Sequence, residues 1–465
     1  MEDALARLVD EARRLGASYS EARFQEVATS AITVENGLLK TCESDSLRGI
    51  GVRVLLGGSW GYCSSSDIEL SQLRKIVRRA IKIARSSRKR SLEAKVGTQR
   101  TTRDKARVQT RIEPHQVPPE EKIRIGIEAN KAAMISDAIK NATTRLGTFT
   151  DRRLFVSSDG SNIEVQSSMA GLHQLSVAAS AGKMERVSDG ESKCAGFEFI
   201  QERDWTKFCR EISELATKAV DAQMPAPGTF EVIADPDLIG LILHEAFGHA
   251  SEGDYVTTKE SVLQGRLETT LAGPDVTIYD QGVIEGGYFI PYDDEGIQKS
   301  RTTVVENGTL RGYLQSRQTA MEMHTEPTGN ARAMSFDNHP IVRQTNYYMK
   351  PRDYSLEELA EDIENGYYIK GRGAGGGQVD VGGGTFTFAV GPSFLIEKGE
   401  IGEMVRGTTV SGMVLETLGT IDAVGKDLKV STSAFGGCGK GGQMVRGGHG
   451  GPHVRIGKIT LGGQA

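Results

Sequence analysis

The chain has 465 residues, with 56 Lys+Arg set against 61 Asp+Glu. That balance argues against a protein that holds nucleic acid or an anionic membrane through its net field. Five scattered cysteines with no CxxC spacing exclude a disulfide framework and read as reduced thiols. At about 150 residues per domain the length allows roughly three domains.

Residues 3–15 place Leu5, Leu8, Val9, Ala12 and Leu15 on one helical face, and Gly16 stops the helix. Short β-type runs follow, punctuated by Gly and Asn-Gly turns: "ASYSEARFQEV", "SAITVENGLLKTCES" and "GIGVRVLLGGSWGYCS". Ser66-Asp67 can cap a helix reaching about Ser86, with Leu73, Ile76, Ala80 and Ala84 inward. A polar, basic stretch comes next. Its cluster from Arg74 to Lys95 reads as a solvated helix face plus a linker rather than a nucleic-acid site. A second helix starts at Pro119, strands run to about residue 182 with a turn at Ser158-Asp159-Gly160, and a further helix covers about 202–222. The chain breaks again at "QMPAPGTF" and continues as a long Gly-rich, β-dominated region.

This pattern predicts an α+β fold. Two smaller helix/sheet domains, 1–90 and 119–224, flank a basic linker or extension at 91–118. A large Gly-rich, β-dominated C-terminal domain follows at 229–465 and carries an apolar helix. The N-terminus lacks the order of a signal peptide, and no apolar run approaches the ~18 residues of a membrane span, which predicts a cytoplasmic protein.

The chemistry concentrates in "FEVIADPDLIGLILHEAFGHASEGD". Asp235 or Asp237 can cap a helix that Leu238, Ile239, Leu241, Ile242 and Leu243 make apolar nearly all round. His244, Glu245 and His249 then fall inside a buried helix, where titratable groups need partners. The two histidines are five positions apart, which is about 140° of turn on an ideal α-helix. Two imidazoles so divergent cannot share an ion at ~2.1 Å. A widened π-type turn, or an early helix end near Gly248, brings them back together. The sequence therefore predicts an irregular helix here.

With both histidines on one ion, Glu245 stands beside the metal as a proton acceptor for an attacking water. A catalytic zinc site needs a third ligand and an open position. Glu252, Asp254, a distant Cys and a distant His are all candidates; His449 and His453 are separated by Gly-Gly-Pro, which forbids a helix. Cys438 in "FGGCGKGGQ" is a good thiolate donor in a turn whose glycines allow close approach.

The motifs "HEAFGHASEGD", "YDDEG", "GNAR…PIVRQTN", "GGGQVD…FTF" and "GGCGKGGQ", in this order, resemble the TldD/PmbA metallopeptidases. The presence of both HExxxH and the late Cys is similar to the TldD-type, catalytic subunit. The resemblance implies one Zn2+ per chain on His244, His249 and Cys438, with Glu245 as general base. It implies hydrolysis of small or unfolded peptides in an enclosed cavity, the peptide bound in extended form by backbone pairing. It also implies a heterodimer with a PmbA/TldE-type chain, with a homodimer as the alternative. Gln378, Val379 and Asp380 in the Gly-rich strand are candidates for substrate pairing. Arg343 and Asn346 lie in a family motif, as substrate or subunit contacts or as a structural ion pair. The competing reading is a non-catalytic binding or assembly subunit with a structural metal, which would be closed by four protein ligands.

Overall fold

The computed structural model describes residues 1–87, 93–97, 99–371, 373 and 377–463. The basic segment at 74–95 therefore lies partly outside the described residues. Helix α1 (Glu2–Arg14) buries Leu5, Leu8, Val9 and Ala12 as its spacing predicts. Helix α2 (Leu70–Ser87) buries Leu73, Ile76, Val77, Ala80, Ile81 and Ala84. On its outer face Arg74 and Arg78 stand 3.7 and 3.6 Å from Glu11. That face is thus turned to a neighbouring helix and to solvent. Among the described residues, no helix is long and apolar enough to cross a membrane.

The short β-runs of the N-terminal half fuse into long strands. They are β1 (Tyr19–Glu35), β2 (Leu38–Leu56), β3 (Ser59–Ser65), β4 (Arg103–Arg107), β5 (Ile139–Ser157), β6 (Asn162–Ser180) and β7 (Lys183–Lys193). These seven share one sheet in the order β3-β2-β1-β5-β6-β4, with β7 also on β6. Because β1 pairs with β5 from Glu21–Ser157 to Glu35–Thr143, one sheet runs across both N-terminal stretches. Part of the expected linker, Arg103–Arg107, is an edge strand parallel to β6. Helix α3 (Pro119–Ala133) has Pro119 in its first turn, and α4 (Trp205–Ala219) is capped by Asp204 rather than starting at 202. The α+β reading holds.

In the C-terminal region the described residues form a nine-stranded and a six-stranded sheet. Strand β8 (Gly228–Ala234) lies inside the larger one, between Asn365–Ile369 and Val454–Gly463. It leads into α5 (Pro236–Ile242), which the side chain of Asp235 caps by accepting from the Leu238 amide at 2.8 Å. Leu238, Ile239, Ile242, Leu243 and Phe247 are fully buried in one core with residues of both sheets. At about 1.5–3 kcal/mol for each such side chain, this burial fixes the helix before any metal is considered. Gly240 is obligatory there, since a Cβ would stand 2.8 Å from the Gly450 backbone.

The "YDDEG" motif joins the two halves. Asp293 accepts from the amides of Glu295, Ile297 and Ala331 and so shapes the loop. Asp294 accepts from Arg153 at 2.8 Å and lies 3.4 Å from Arg23, while Glu295 accepts from Arg53 at 2.7 Å. All three arginines belong to the N-terminal sheet. Burial would raise the Asp294 carboxyl, but Arg153 and Arg23 outweigh it and hold it below its ordinary 3.8. Its contribution to stability is therefore present above that value and lost as pH falls through the lower folded one. We expect Asp294→Asn to destabilise the protein by about 1–3 kcal/mol at neutral pH, because buried Arg23 loses its carboxylate partner while part-exposed Arg153 keeps only Asp151. Denaturant unfolding should show the gap to wild type narrowing as pH drops below 3.8; a constant gap would contradict the assignment.

Candidate metal centre

The helix that begins at Pro236 does not stay regular. One π-helical turn spans Leu243–Gly248, and a 3-10 turn follows at His249–Ser251. The widened turn turns both imidazoles to one side, with ring centroids 5.5 Å apart. Gly248 makes it possible, because its bare Cα rests against the side-chain amide of Gln344. That amide donates to the His244 carbonyl at 2.8 Å. One of the carbonyls released by the widening thus has a partner.

His244, Glu245, His249 and Cys438 come together, with one donor atom from each lying within 4.8 Å of the others. His249 Nε2 is 2.8 Å from Cys438 Sγ and 3.9 Å from Glu245. Its Nδ1 donates to Glu252 at 3.2 Å, which orients the ring and leaves Nε2 for a metal. His244 is held neutral: burial, then the neighbouring His249, push it well below the usual imidazole range. Its Nδ1 is buried with no hydrogen-bond partner. A neutral, under-satisfied imidazole beside a second imidazole and a thiol is a soft nitrogen–sulfur donor set of the kind zinc takes. Burial also raises the Glu245 carboxyl. Glu245 and Cys438 are the part-exposed members, with about a third of the Glu245 side chain open.

Behind these donors lies a buried charged layer. Burial works against the Glu252 carboxylate, but His249 and Lys440 outweigh it and lower it to about 2. Its other oxygen accepts from the Gln344 backbone N–H at 3.1 Å. Arg343 donates to the carbonyls of Cys438 and Gln443 at 2.6 and 3.0 Å.

The other candidates separate. Glu252 lies outside the donor cluster and accepts from His249, and Asp254 accepts from Lys440. Arg343 and Asn346 are 1% and 0% exposed. Asn346 donates to the carbonyls of Gln281, Gly282 and Tyr288 and accepts from the Tyr288 amide. Neither presents a face to a peptide, because a loop core that carries this many turning backbone groups must satisfy them from within. Gln378, Val379 and Asp380 lie on Gly377–Asp380, the terminal strand of the nine-stranded sheet among the described residues, and this strand borders the π-turn. Its glycine serves the hairpin: a Cβ on Gly377 would collide with Phe388 and the Thr387 carbonyl. The His449 ring lies tilted beside His244, with centroids 5.6 Å apart, outside the donor cluster. Gln344 and Lys440 carry much of the site and were not singled out by the sequence. The one available signal was their place inside "PIVRQTN" and "GGCGKGGQ".

Models of the PmbA/TldA metallopeptidase domain 1, central domain and C-terminal domain match residues 20–84, 112–220 and 227–463. A protein of Methanothermobacter thermautotrophicus named "Metalloprotease" is 38% identical over 96% of this chain and 95% of its own. A "Zinc metalloprotease TldD homolog" of Saccharolobus solfataricus is 28% identical over 98% and 99% of the two chains. TldE from Thermococcus kodakarensis superposes with a TM-score of 0.82 at 18% identity, covering 99% of this chain and 100% of that one.

The packing at Gly248 gives a direct test. Gly248→Ala must displace Gln344 from the His244 carbonyl, and we expect a loss of about 1–3 kcal/mol in denaturant unfolding. A variant as stable as wild type would show that the π-turn does not depend on this close approach.

Proposed function

This chain belongs to the PmbA/TldD metallopeptidase family, and from that membership we propose that it is a zinc-dependent peptidase of the TldD type, acting on small or unfolded peptides. The observation that carries this reading is the convergence of His244, His249 and Cys438 with a part-exposed carboxylate beside them. The three donors would hold one zinc ion per chain and leave a fourth position open, as a catalytic site requires. Zinc bound there would supply a Lewis acid for the scissile carbonyl and for water. Glu245 takes a proton from the attacking water and passes it to the leaving amine. Its raised carboxyl suits that exchange better than an ordinary solvated one. His249 is kept in one orientation by Glu252, so the donor geometry need not be assembled when substrate arrives.

The exposed edge at Gly377–Asp380 would hold an extended peptide by backbone pairing, with Gln378, Val379 and Asp380 along it. Such binding reads main chain more than side chains, which favours small or unfolded peptides as the substrate class. A PmbA/TldE-type chain is the proposed partner, and the three-unit division at 1–90, 119–224 and 229–465 is the proposed domain plan.

Glu245→Gln tests the reading. It should retain bound zinc and lose at least about 10²-fold in peptide cleavage. A variant that keeps zinc and cleaves at the wild-type rate would remove Glu245 as the base. Chelation should abolish cleavage and zinc should restore it.

A further inference from the structure

The third donor, Cys438, does not sit on either large sheet. It opens a two-stranded hairpin, Cys438–Lys440 with Gln443–Val445, that among the described residues pairs only with itself. Something must set its distance from two imidazoles almost two hundred residues earlier. Lys440 follows Cys438 by two positions, and its side chain is 7% exposed. Its ammonium donates to Glu252 at 2.7 Å, to Asp254 at 2.6 Å and to the Val342 carbonyl at 3.1 Å. It also stands 4.0 Å over the Tyr255 ring.

An ammonium has three donors, and all three are engaged internally. Lys440 is therefore not free to anchor a peptide carboxylate. Burying a cation between two carboxylates is costly, and an apolar side chain of similar length fills the same volume without that cost. The charge must serve something other than packing. The carboxylate it meets is the one that orients His249: the same Glu252 oxygen accepts from His249 Nδ1 and from Lys440. One carboxylate is thus shared by the two ligand-bearing segments.

We infer that Lys440 is a positioning residue that clamps the Cys438 hairpin to the segment carrying His249, and so sets the thiolate within reach of the imidazoles. This rests on the zinc reading above. Lys440 fixes where Cys438 is, Arg343 fixes the hairpin's backbone through two carbonyls, and Glu252 transmits the register to His249.

The test uses the full chain with Co2+ or Zn2+ as probes. In wild type, Co2+ should give a thiolate-to-cobalt charge-transfer band in the near ultraviolet. In Lys440→Met that band should be lost while the ligand-field bands from histidine coordination persist, and zinc affinity, read by chelator competition, should fall about 10–100-fold. Lys440→Arg keeps the charge and should recover most of both. In a Cys438→Ala background, Lys440→Met should cost less than about twofold more, because its effect passes through the thiolate. Equal losses in both backgrounds, or an unchanged band in Lys440→Met, would overturn the inference while leaving the zinc site standing. A wild type without the band would remove Cys438 as a ligand and this inference with it. If Lys440→Met does not fold, Asp254→Asn removes the outer carboxylate alone. A weakened band is then expected, and an unchanged one overturns the inference.

Discussion

The site depends on one constraint: two histidines five residues apart must face one point from inside an apolar core. A regular helix cannot do this, since each residue turns the side chain by about 100°. A π-turn can, at the cost of a mismatched hydrogen-bond ladder. That mismatch is tolerated because Leu238, Ile239 and Ile242 anchor the helix before the distortion, Leu243 and Phe247 within it, and Ala250 just after it. Gln344 then bonds a carbonyl inside the distorted turn. The apolar core does a second job. It strips water from His244 and keeps it neutral, which is the form a metal needs.

Burial that helps one histidine threatens the rest of the site, because charges in the same layer lose their solvent too. The molecule answers with a closed set of pairs rather than with isolated groups. Glu252 meets His249, Lys440 and the Gln344 backbone N–H; Lys440 meets Asp254; Arg343 meets two carbonyls and lies 3.9 Å from Glu252. Such a network holds only if every member is present, so it specifies geometry more than it adds stability. Glu245 is left at its edge, part-exposed, as the proposed proton acceptor must be.

How much of this was legible depended on sequence distance. His244, Glu245 and His249 are local, and their spacing alone demanded an irregular helix, which is present at Leu243–Ser251. The Asp235 cap and the inward faces of α1 and α2 were equally local. The pairing of β1 with β5 was not, because over a hundred residues intervene and β-register carries no long-range sign in one sequence. The roles of Arg343 and Asn346 were also hidden. A charged or amide side chain in a motif looks the same whether it faces a substrate or braces turning backbone, and only their complete burial and internal bonds separate the two. Gln344 and Lys440 were hidden for the same reason, being long-range partners of residues that were already conspicuous.

The N-terminal sheet helps to place the donor cluster, although it contributes none of the four clustered side chains. The loop before Cys438 leans on it: Phe435 rests on Gly147, where a Cβ would stand 2.7 Å from the ring, and Arg145 lies 5.3 Å from its centroid. The Ala434 amide donates to Ser192 on β7 at 3.0 Å. That sheet is in turn fastened to the C-terminal region by Asp294 and Glu295 through buried Arg23 and Arg53 and part-exposed Arg153. The thiol is therefore held from two directions, by Lys440 from the helix side and by Phe435 from the sheet side. A displacement of the sheet would reach Cys438 through its own loop before it reached either histidine. The two imidazoles are fixed by the core of one region, whereas the thiol is fixed by the docking of two. Any motion between the halves would thus be felt first as a change in the third donor.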